Sequence, residues 1–167
     1  NAPGSGVADN KAIYPWIPDV IRFFLDEDPI LPQVRTYIGR KPDDASYIRD
    51  HLDELVVKLC GGAGGYGMLV GPTSTKKELA DFLERFDAAP WDYIAQPLVE
   101  FPHHPTWTGD GFEPRRVDLR PFALYGDGIQ VLPGGLTRVA LEAGSYVVNS
   151  SQGGGSKDTW VLVEDQP

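Results

Sequence analysis

Apolar residues recur along this chain at two periods, and the changes of period outline short helices and strands in turn. After a polar, glycine-rich opening, NAPGSGVADN, residues 11–26 mix aromatics with Pro15 and Pro18 and end in DVIRFFLD, an amphipathic turn that Asp19 is placed to cap. Pro29 and Pro32 keep PILPQVRTYIG extended until a short strand. In DDASYIRDHLDEL, residues 43–55, Tyr47, Ile48, Leu52 and Leu55 fall at helical spacing. LVVKL and MLVG read as strands on either side of GGAGGYG, a hairpin signal carrying more glycine than a turn needs. Ser74 or Thr75 caps KKELADFLERF, a helix with Leu79, Phe82, Leu83 and Phe86 on one stripe. WDYIAQPLVEF predicts a strand ending at Pro102, HHPTWTGDGFEP a loop, and RRVDLRPFALYG, GIQVLPG and LTRVALEAG three strands of a meander, with a hairpin turn at Gly126-Asp127-Gly128. YVV and TWVLV read as two further strands around a loop rich in Asn, Ser and Gly. The order is short helices, then β-β-α-β, then an antiparallel tail, which is an α+β chain and not an alternating parallel one. Three segments follow from it: a lead-in, 1–42; an α/β subdomain, 43–100; and a β-rich subdomain, 101–167.

Composition narrows the partners. With 167 residues and 41% hydrophobic content, the chain is long enough for one domain with a core or for two small lobes. A net charge of −9 excludes nucleic acid as the main partner, since a phosphate backbone demands a basic surface, while a local basic pocket for a nucleotide stays open. The single cysteine, Cys60, excludes an intramolecular disulfide framework, points to a reducing compartment such as the cytoplasm, and has no base near it in sequence to make it a nucleophile. No apolar run reaches membrane-spanning length and no signal peptide is visible.

The candidate chemistry is cationic and glycine-rich. Lys58 ends an apolar strand just before GGAGGYGM, where its ammonium either snorkels to solvent or joins backbone N–H donors on one anion. Arg120 and Arg138 sit inside otherwise apolar strands and need an anion or a carboxylate; Asp118, two residues before Arg120, is one structural partner. His103 and His104 lack a third ligand for a metal, and Asp43-Asp44 and Asp26-Glu27-Asp28 read as solvated surface. The stretch VVNSSQGGGSKDTWVLV is open to three readings: an ordinary loop, a phosphate cradle or a flexible linker.

Six blocks together, NAPGSGVADNKAIYPWIPDVI, LVVKLCGGAGGYGMLVG, YIAQP, RRVDLRPFAL, PGGLTRVAL and VVNSSQGGGSKDTWVL, resemble the circularly permuted ATP-grasp proteins, bacterial proteins of glutathionylspermidine-synthase-like type. The resemblance covers essentially the whole chain and matches only the later part of such proteins. It implies an ATP-grasp-like fold of two α/β lobes with mainly antiparallel sheets, incomplete in this chain. Lys11 and Lys58 then correspond to the two lysines that reach the nucleotide. Gly61, Gly62, Gly64, Gly65, Tyr66 and Gly67 correspond to the lid loop over the β- and γ-phosphates. Gln96, Pro97 and Leu98 correspond to the hinge whose backbone reads the adenine edge, with Pro97 standing where many relatives carry Glu. Arg120, Arg138 and Asn149, with Gly153 and Gly154, resemble the D-x-R … R … N-x-x-x-G-G series that faces phosphates and an acyl-phosphate, so the closing loop takes the phosphate reading.

The implied activity is ATP-dependent joining of a carboxylate to an amine, with ATP and Mg²⁺ required and the metal ligands expected in an upstream portion that this sequence lacks. The alternative is a nucleotide-binding or scaffold module of the same fold without catalysis. The glycine-rich opening without an initiator Met suits a cut inside a longer protein. Such a cut implies exposed apolar surface on the β-rich half and a tendency to self-associate.

Overall fold

The computed structural model describes residues 6–149 and 153–162, and the chain divides into two compact units, residues 1–99 and 100–167.

The first unit is a four-stranded antiparallel sheet in the order β1-β4-β2-β3, built from β1 (Tyr37–Ile38), β2 (Leu55–Leu59), β3 (Leu69–Val70) and β4 (Tyr93–Pro97). Strand alternation gives the sheet two unlike faces. Tyr37, Leu55, Val57, Tyr93 and Ala95 point one way and form the core with Ile48, Leu52, Phe82 and Phe86 from the segments between the strands. Ile38, Val56, Lys58, Cys60, Ile94 and Gln96 occupy the alternate positions and face the other side, which carries the chemistry.

Helix α3 spans Pro42–Asp50 and not 43–55: a turn at residues 51–54 ends it, and Leu55 begins β2, because the run from Leu55 to Leu59 pairs with β4 along its full length. Helix α4 (Lys76–Ala88) begins as expected. Thr75 and Glu78 form a reciprocal capping box, with the Glu78 amide donating to Thr75 Oγ1 at 3.3 Å and the Thr75 amide to Glu78 Oε2 at 2.7 Å. Thr75→Ala removes one half of that box and lowers stability by about 0.5–2 kcal/mol. Urea denaturation measures this, and an unchanged midpoint contradicts it. Ahead of the sheet lie α1 (Gly6–Asp9), a 3₁₀ helix (Lys11–Trp16) and α2 (Ile17–Leu25). Asp19 is not the cap of α2, which starts at Ile17 behind an uncapped Trp16; Pro18 needs no amide partner in a first turn and lets the helix begin before it. Its Asp19 instead lies 3.3 Å from Arg22.

The second unit is an antiparallel sheet in the order β5-β6-β7-β8: β5 (His103–Trp107), β6 (Phe112–Tyr125), β7 (Ile129–Ala140) and β8 (Gly154–Lys157). Three expectations change here. The HHPTW segment is strand β5 and not a loop, since β6 begins at Phe112, early enough to pair with it from Trp107 to His103. GIQVLPG and LTRVALEAG are one strand, β7, not two, and β6 and β7 form a long hairpin about Gly126-Asp127-Gly128 that absorbs Pro121 and Pro133-Gly134 with a register shift between Pro121 and Ala123. Among the described residues YVV and TWVL form no strand; the strand between them is the glycine segment itself, β8, which pairs with β7 from Ala140 to Thr137. On the outer half of the hairpin Leu124, Tyr125, Ile129 and Val131 are exposed.

Candidate functional site

The 3₁₀ helix is laid across the open face of the first sheet by its own first residue: the Lys11 amide donates to the Cys60 carbonyl at 2.9 Å, and Asn10 caps the helix by accepting from the Ala12 amide at 2.9 Å. This places the Lys11 ammonium on the Gly62 carbonyl, at the root of the glycine loop. It also opens a cleft of about 490 Å³ between the helices and the sheet, bordered by Lys11, Tyr14, Ile17, Lys58, Ile94 and Gln96.

Lys58 is half-buried and its ammonium donates to Gln96 Oε1 at 2.9 Å. The Gln96 amide nitrogen donates in turn to Thr36 Oγ1 at 2.8 Å, and the Thr36 hydroxyl donates to the Val34 carbonyl at 3.0 Å. The chain of donors fixes which way Gln96 points: Thr36 spends its proton on Val34, so only its lone pairs meet Gln96, and the amide oxygen is left for Lys58. Burial pulls the Lys58 pKa below the usual lysine range, and the nearby Lys11 ammonium adds to that. An amine held partly desolvated beside a second amine gains most from an arriving anion.

The loop from Gly61 to Gly67 joins β2 to β3, with Gly64, Gly65 and Gly67 at φ of 69°, 78° and 68°. Those left-handed angles are open to glycine without strain, so the loop takes a path that few other sequences allow. Tyr66 is exposed at its tip. At the far end of β4, β1 pairs only with Ala95 and Ile94, so the register leaves Gln96, Pro97 and Leu98 beyond the last β1 partner. The structure thus brings Lys11, Lys58, Gly62 and Gln96 together. Pro97 is exposed at the strand end and lies opposite Leu55.

In the second unit Asp118 lies opposite Arg138 across β6 and β7, and Arg120 opposite Leu136. Alternation puts Asp118, Arg120 and Arg138 on one face. Arg138, not Arg120, takes Asp118: its Nε donates to Oδ1 at 2.8 Å and its second nitrogen to Oδ2, a two-pronged pair. That bond, opposed by burial, raises the Arg138 pKa. Cross-strand facing wins over the i, i+2 relation within one strand because opposite residues lie nearer. Arg120 is exposed and has no ion-pair partner among the described residues.

Asn149 accepts the Gly154 amide on its backbone carbonyl at 3.0 Å. Gly153 has φ of 82°, and a β-carbon on Gly154 would collide with the Val148 carbonyl, so these glycines serve a tight return of the backbone into β8. The linker reading is overturned by the pairing of β8 with β7. Residues 150–152 of the same stretch lie outside the described residues. His103 and His104 lie in β5 opposite Arg116 and Arg115, and no group of three His, Cys, Asp or Glu side chains that suits a metal occurs among the described residues.

Thr36 and Tyr14 were not legible beforehand. Thr36 reaches Gln96 across 60 positions of chain, and the Tyr14 hydroxyl accepts the Val34 amide at 3.1 Å. The pairing of β1 with β4 brings Thr36 beside Gln96, and the 3₁₀ helix brings Tyr14 to Val34.

Two amines and Gln96 of a central strand share one cleft, with the glycine loop tied to it through the Lys11 ammonium on Gly62, an arrangement suited to a polyanion with a flat head. Comparison with known proteins agrees in kind. The chain belongs to the circularly permuted ATP-grasp type 2 family, whose model matches residues 1–140. It is 57% identical over 163 residues to an uncharacterised protein of Synechocystis sp., covering 97% of this chain and 34% of that protein. An uncharacterised protein of Mycobacterium tuberculosis is 48% identical over 97% of this chain and 30% of its own length. A Frankia casuarinae protein named "Putative glutamate--cysteine ligase 2-2" is 45% identical over 96% of this chain and 19% of its own. The chain spans about a third or less of the length of these relatives. Among the described residues no helix is long and apolar enough to cross a membrane.

Proposed function

We propose that this chain is the nucleotide-binding part of an ATP-dependent ligase that joins a carboxylate to an amine. The observation that carries it is the convergence of Lys11 and Lys58 on one cleft at the root of the glycine loop. Family membership and the ligase name borne by the Frankia relative support the reaction class.

In this reading the apolar wall of Ile13, Tyr14, Ile17 and Ile94 receives the base, and the backbone of Gln96 to Leu98 reads its edge. Lys58 leaves Gln96 for a phosphate oxygen and Lys11 leaves the Gly62 carbonyl, which frees the loop to close over the phosphates. The γ-phosphoryl group passes to a carboxylate oxygen and ADP departs; the amine nitrogen then attacks the acyl carbon, expels phosphate and loses a proton. Arg120, without an ion-pair partner among the described residues, offers its fork to the transferring group, while Arg138 must first exchange Asp118 for phosphate oxygens. Asn149, Gly153 and Gly154 belong to the same end of the reaction. Mg²⁺, when bound, would offset the negative charge of the phosphates; the described residues gather no set of three carboxylate, His or Cys side chains to hold it.

Calorimetry on the 167-residue chain tests the first half: ATP binds saturably, and hydrogen exchange of residues 61–67 slows when it does. Absence of both effects refutes the reading. A second reading, a nucleotide-binding module without catalysis, is favoured by the closed Arg138–Asp118 pair. The chain by itself binds ATP without releasing phosphate on either reading. A whole relative separates them, since a ligase releases phosphate when an acid and an amine are both present and a module does not. Self-association of the chain through its exposed hairpin residues is expected to appear in sedimentation at raised concentration.

A further inference from the structure

The same open face of the first sheet carries a second cleft, of about 520 Å³, bordered by Asn10, Arg40, Cys60, Gly61, Trp91 and Asp92. Asn10 borders both clefts, so the second adjoins the lysines on the loop side.

Its walls are built, not incidental. Arg40 follows β1, and Trp91 and Asp92 form the 3₁₀ turn that precedes β4. The two segments are locked together at Gly39, whose amide donates to the Tyr93 carbonyl at 3.0 Å and whose missing side chain leaves room for the Pro90 carbonyl; a β-carbon there would collide with it. The Asp92 carbonyl accepts the Cys60 amide at 2.7 Å, which ties the turn to the end of β2.

Between these walls the charges are left over. Neither the Arg40 guanidinium nor the Asp92 carboxylate makes a hydrogen bond or an ion pair with any described residue, and they do not pair with each other. The buried Cys60 thiol lines the same cleft: burial pushes its pKa up, Asp92 adds to that, and Lys11 and Arg40 oppose it. The cleft therefore combines a buried thiol with two opposite charges that do not pair with each other. Trp91, 56% exposed, offers an indole wall.

A lone anion here meets the repulsion of Asp92, and a lone cation that of Arg40. A ligand bearing both charges a few atoms apart satisfies both. We propose that this cleft binds the zwitterionic end of an α-amino acid, its carboxylate in the Arg40 fork with the Gly61 amide, which has no partner among the described residues, its ammonium on Asp92 and its side chain along Trp91. The proposal rests on the ligase reading for the ligand's role as substrate, not for its binding.

The test follows the indole N–H resonance of Trp91, assigned with Trp91→Phe, in the 167-residue chain. Glycine and α-amino acids with apolar, aromatic, acidic and basic side chains are titrated in, followed by the N-acetyl and amide forms of the tightest. The free amino acid shifts the resonance saturably, and blocking either end weakens binding about tenfold or more, as expected for loss of a charge-assisted contact. Arg40→Gln removes the preference for the free acid over its amide, and Asp92→Asn the preference for the free amine over its acetyl form. These two selective losses come from surface positions and distinguish lost contacts from lost folding. No saturable shift, or equal shifts from free and blocked forms, overturns the site. ATP binding measured on the same samples keeps the readings apart. Amino-acid binding without ATP binding overturns the nucleotide reading alone, and ATP binding without amino-acid binding overturns the zwitterion site alone.

Discussion

Lys58→Met leaves the first unit folded and weakens ATP binding by about 1–3 kcal/mol, the range for a contact to a charged group. The methionine keeps the unbranched stem on the open face and removes the ammonium that Gln96 aims into the cleft. Calorimetry reads the loss directly, and a variant that binds ATP as tightly as the parent sinks the assignment. The pH dependence supplies a second arm with a defined sign. The Lys58 pKa is lowered in the folded chain, by burial first and by Lys11 second. The folded state therefore binds fewer protons than the unfolded state between the folded and the unfolded pKa. Stability gains from this group as the pH rises through that alkaline window and loses as it falls through the folded pKa. Bound phosphate favours the charged amine and draws the pKa back up, so nucleotide binding takes up a proton there and weakens as the solution becomes more alkaline. Asp9 lines the same cleft. The methionine variant loses the proton uptake; if it persists, another group carries it.

The legible part of the fold was the part governed by neighbours in sequence. Helix α4 declared itself through Thr75, Glu78 and a stripe ending in Phe82 and Phe86, because capping and amphipathic spacing act within one or two turns. The β2–β3 hairpin and the turn at residues 126–128 followed from glycine and alternation. What was misread needed a distant partner. HHPTW carries no strand signal of its own and becomes β5 only because Phe112 to Arg116 lies alongside it. The run GGGSKD, loop-like by composition, is recruited into β8 by the free edge of β7, and glycine is tolerated there because Val148 approaches the backbone too closely for a side chain. Pro133 and Gly134 looked like a strand break; the long hairpin absorbs them in a register shift that skips Leu132, Pro133 and Gly134 and resumes pairing at Val131.

The site divides the same way. Lys58 and the glycine loop are adjacent in sequence, and their association was visible. Lys11 joins them through a bond from its backbone to Cys60, 49 residues on, by sequence position. The Gln96 side chain carries a role that its sequence position does not suggest, since it orients Lys58 through a partner, Thr36, that precedes a strand of only two residues. Arg120 and Arg138 looked equivalent; register alone gives Asp118 to Arg138 and leaves Arg120 open.

Phe86→Ala lowers the stability of the first unit by about 3–5 kcal/mol, the range for removing a buried aromatic ring. The ring is fully buried beneath the sheet, 5.8 Å from the Tyr93 ring and with the Arg49 guanidinium 5.6 Å from its centre. It also lies against the gap at Gly39, where β1 closes on the turn before β4, so its loss opens a cavity directly behind the strands that position Lys58, Gln96 and Arg40. The surrounding strands are tied by hydrogen bonds on both sides of β4 and are poorly placed to collapse into the space, which puts the cost in the upper part of that range. Because the chain has two units, a single unfolding midpoint mixes their stabilities. Hydrogen exchange of the Val57 and Ala95 amides, in the middle of β2 and β4, reports the first unit alone. Phe86→Leu, which refills most of the volume, costs clearly less than the alanine. If both variants exchange at the parental rate, Phe86 is not what holds the open face in register, and the core lies elsewhere in the sheet.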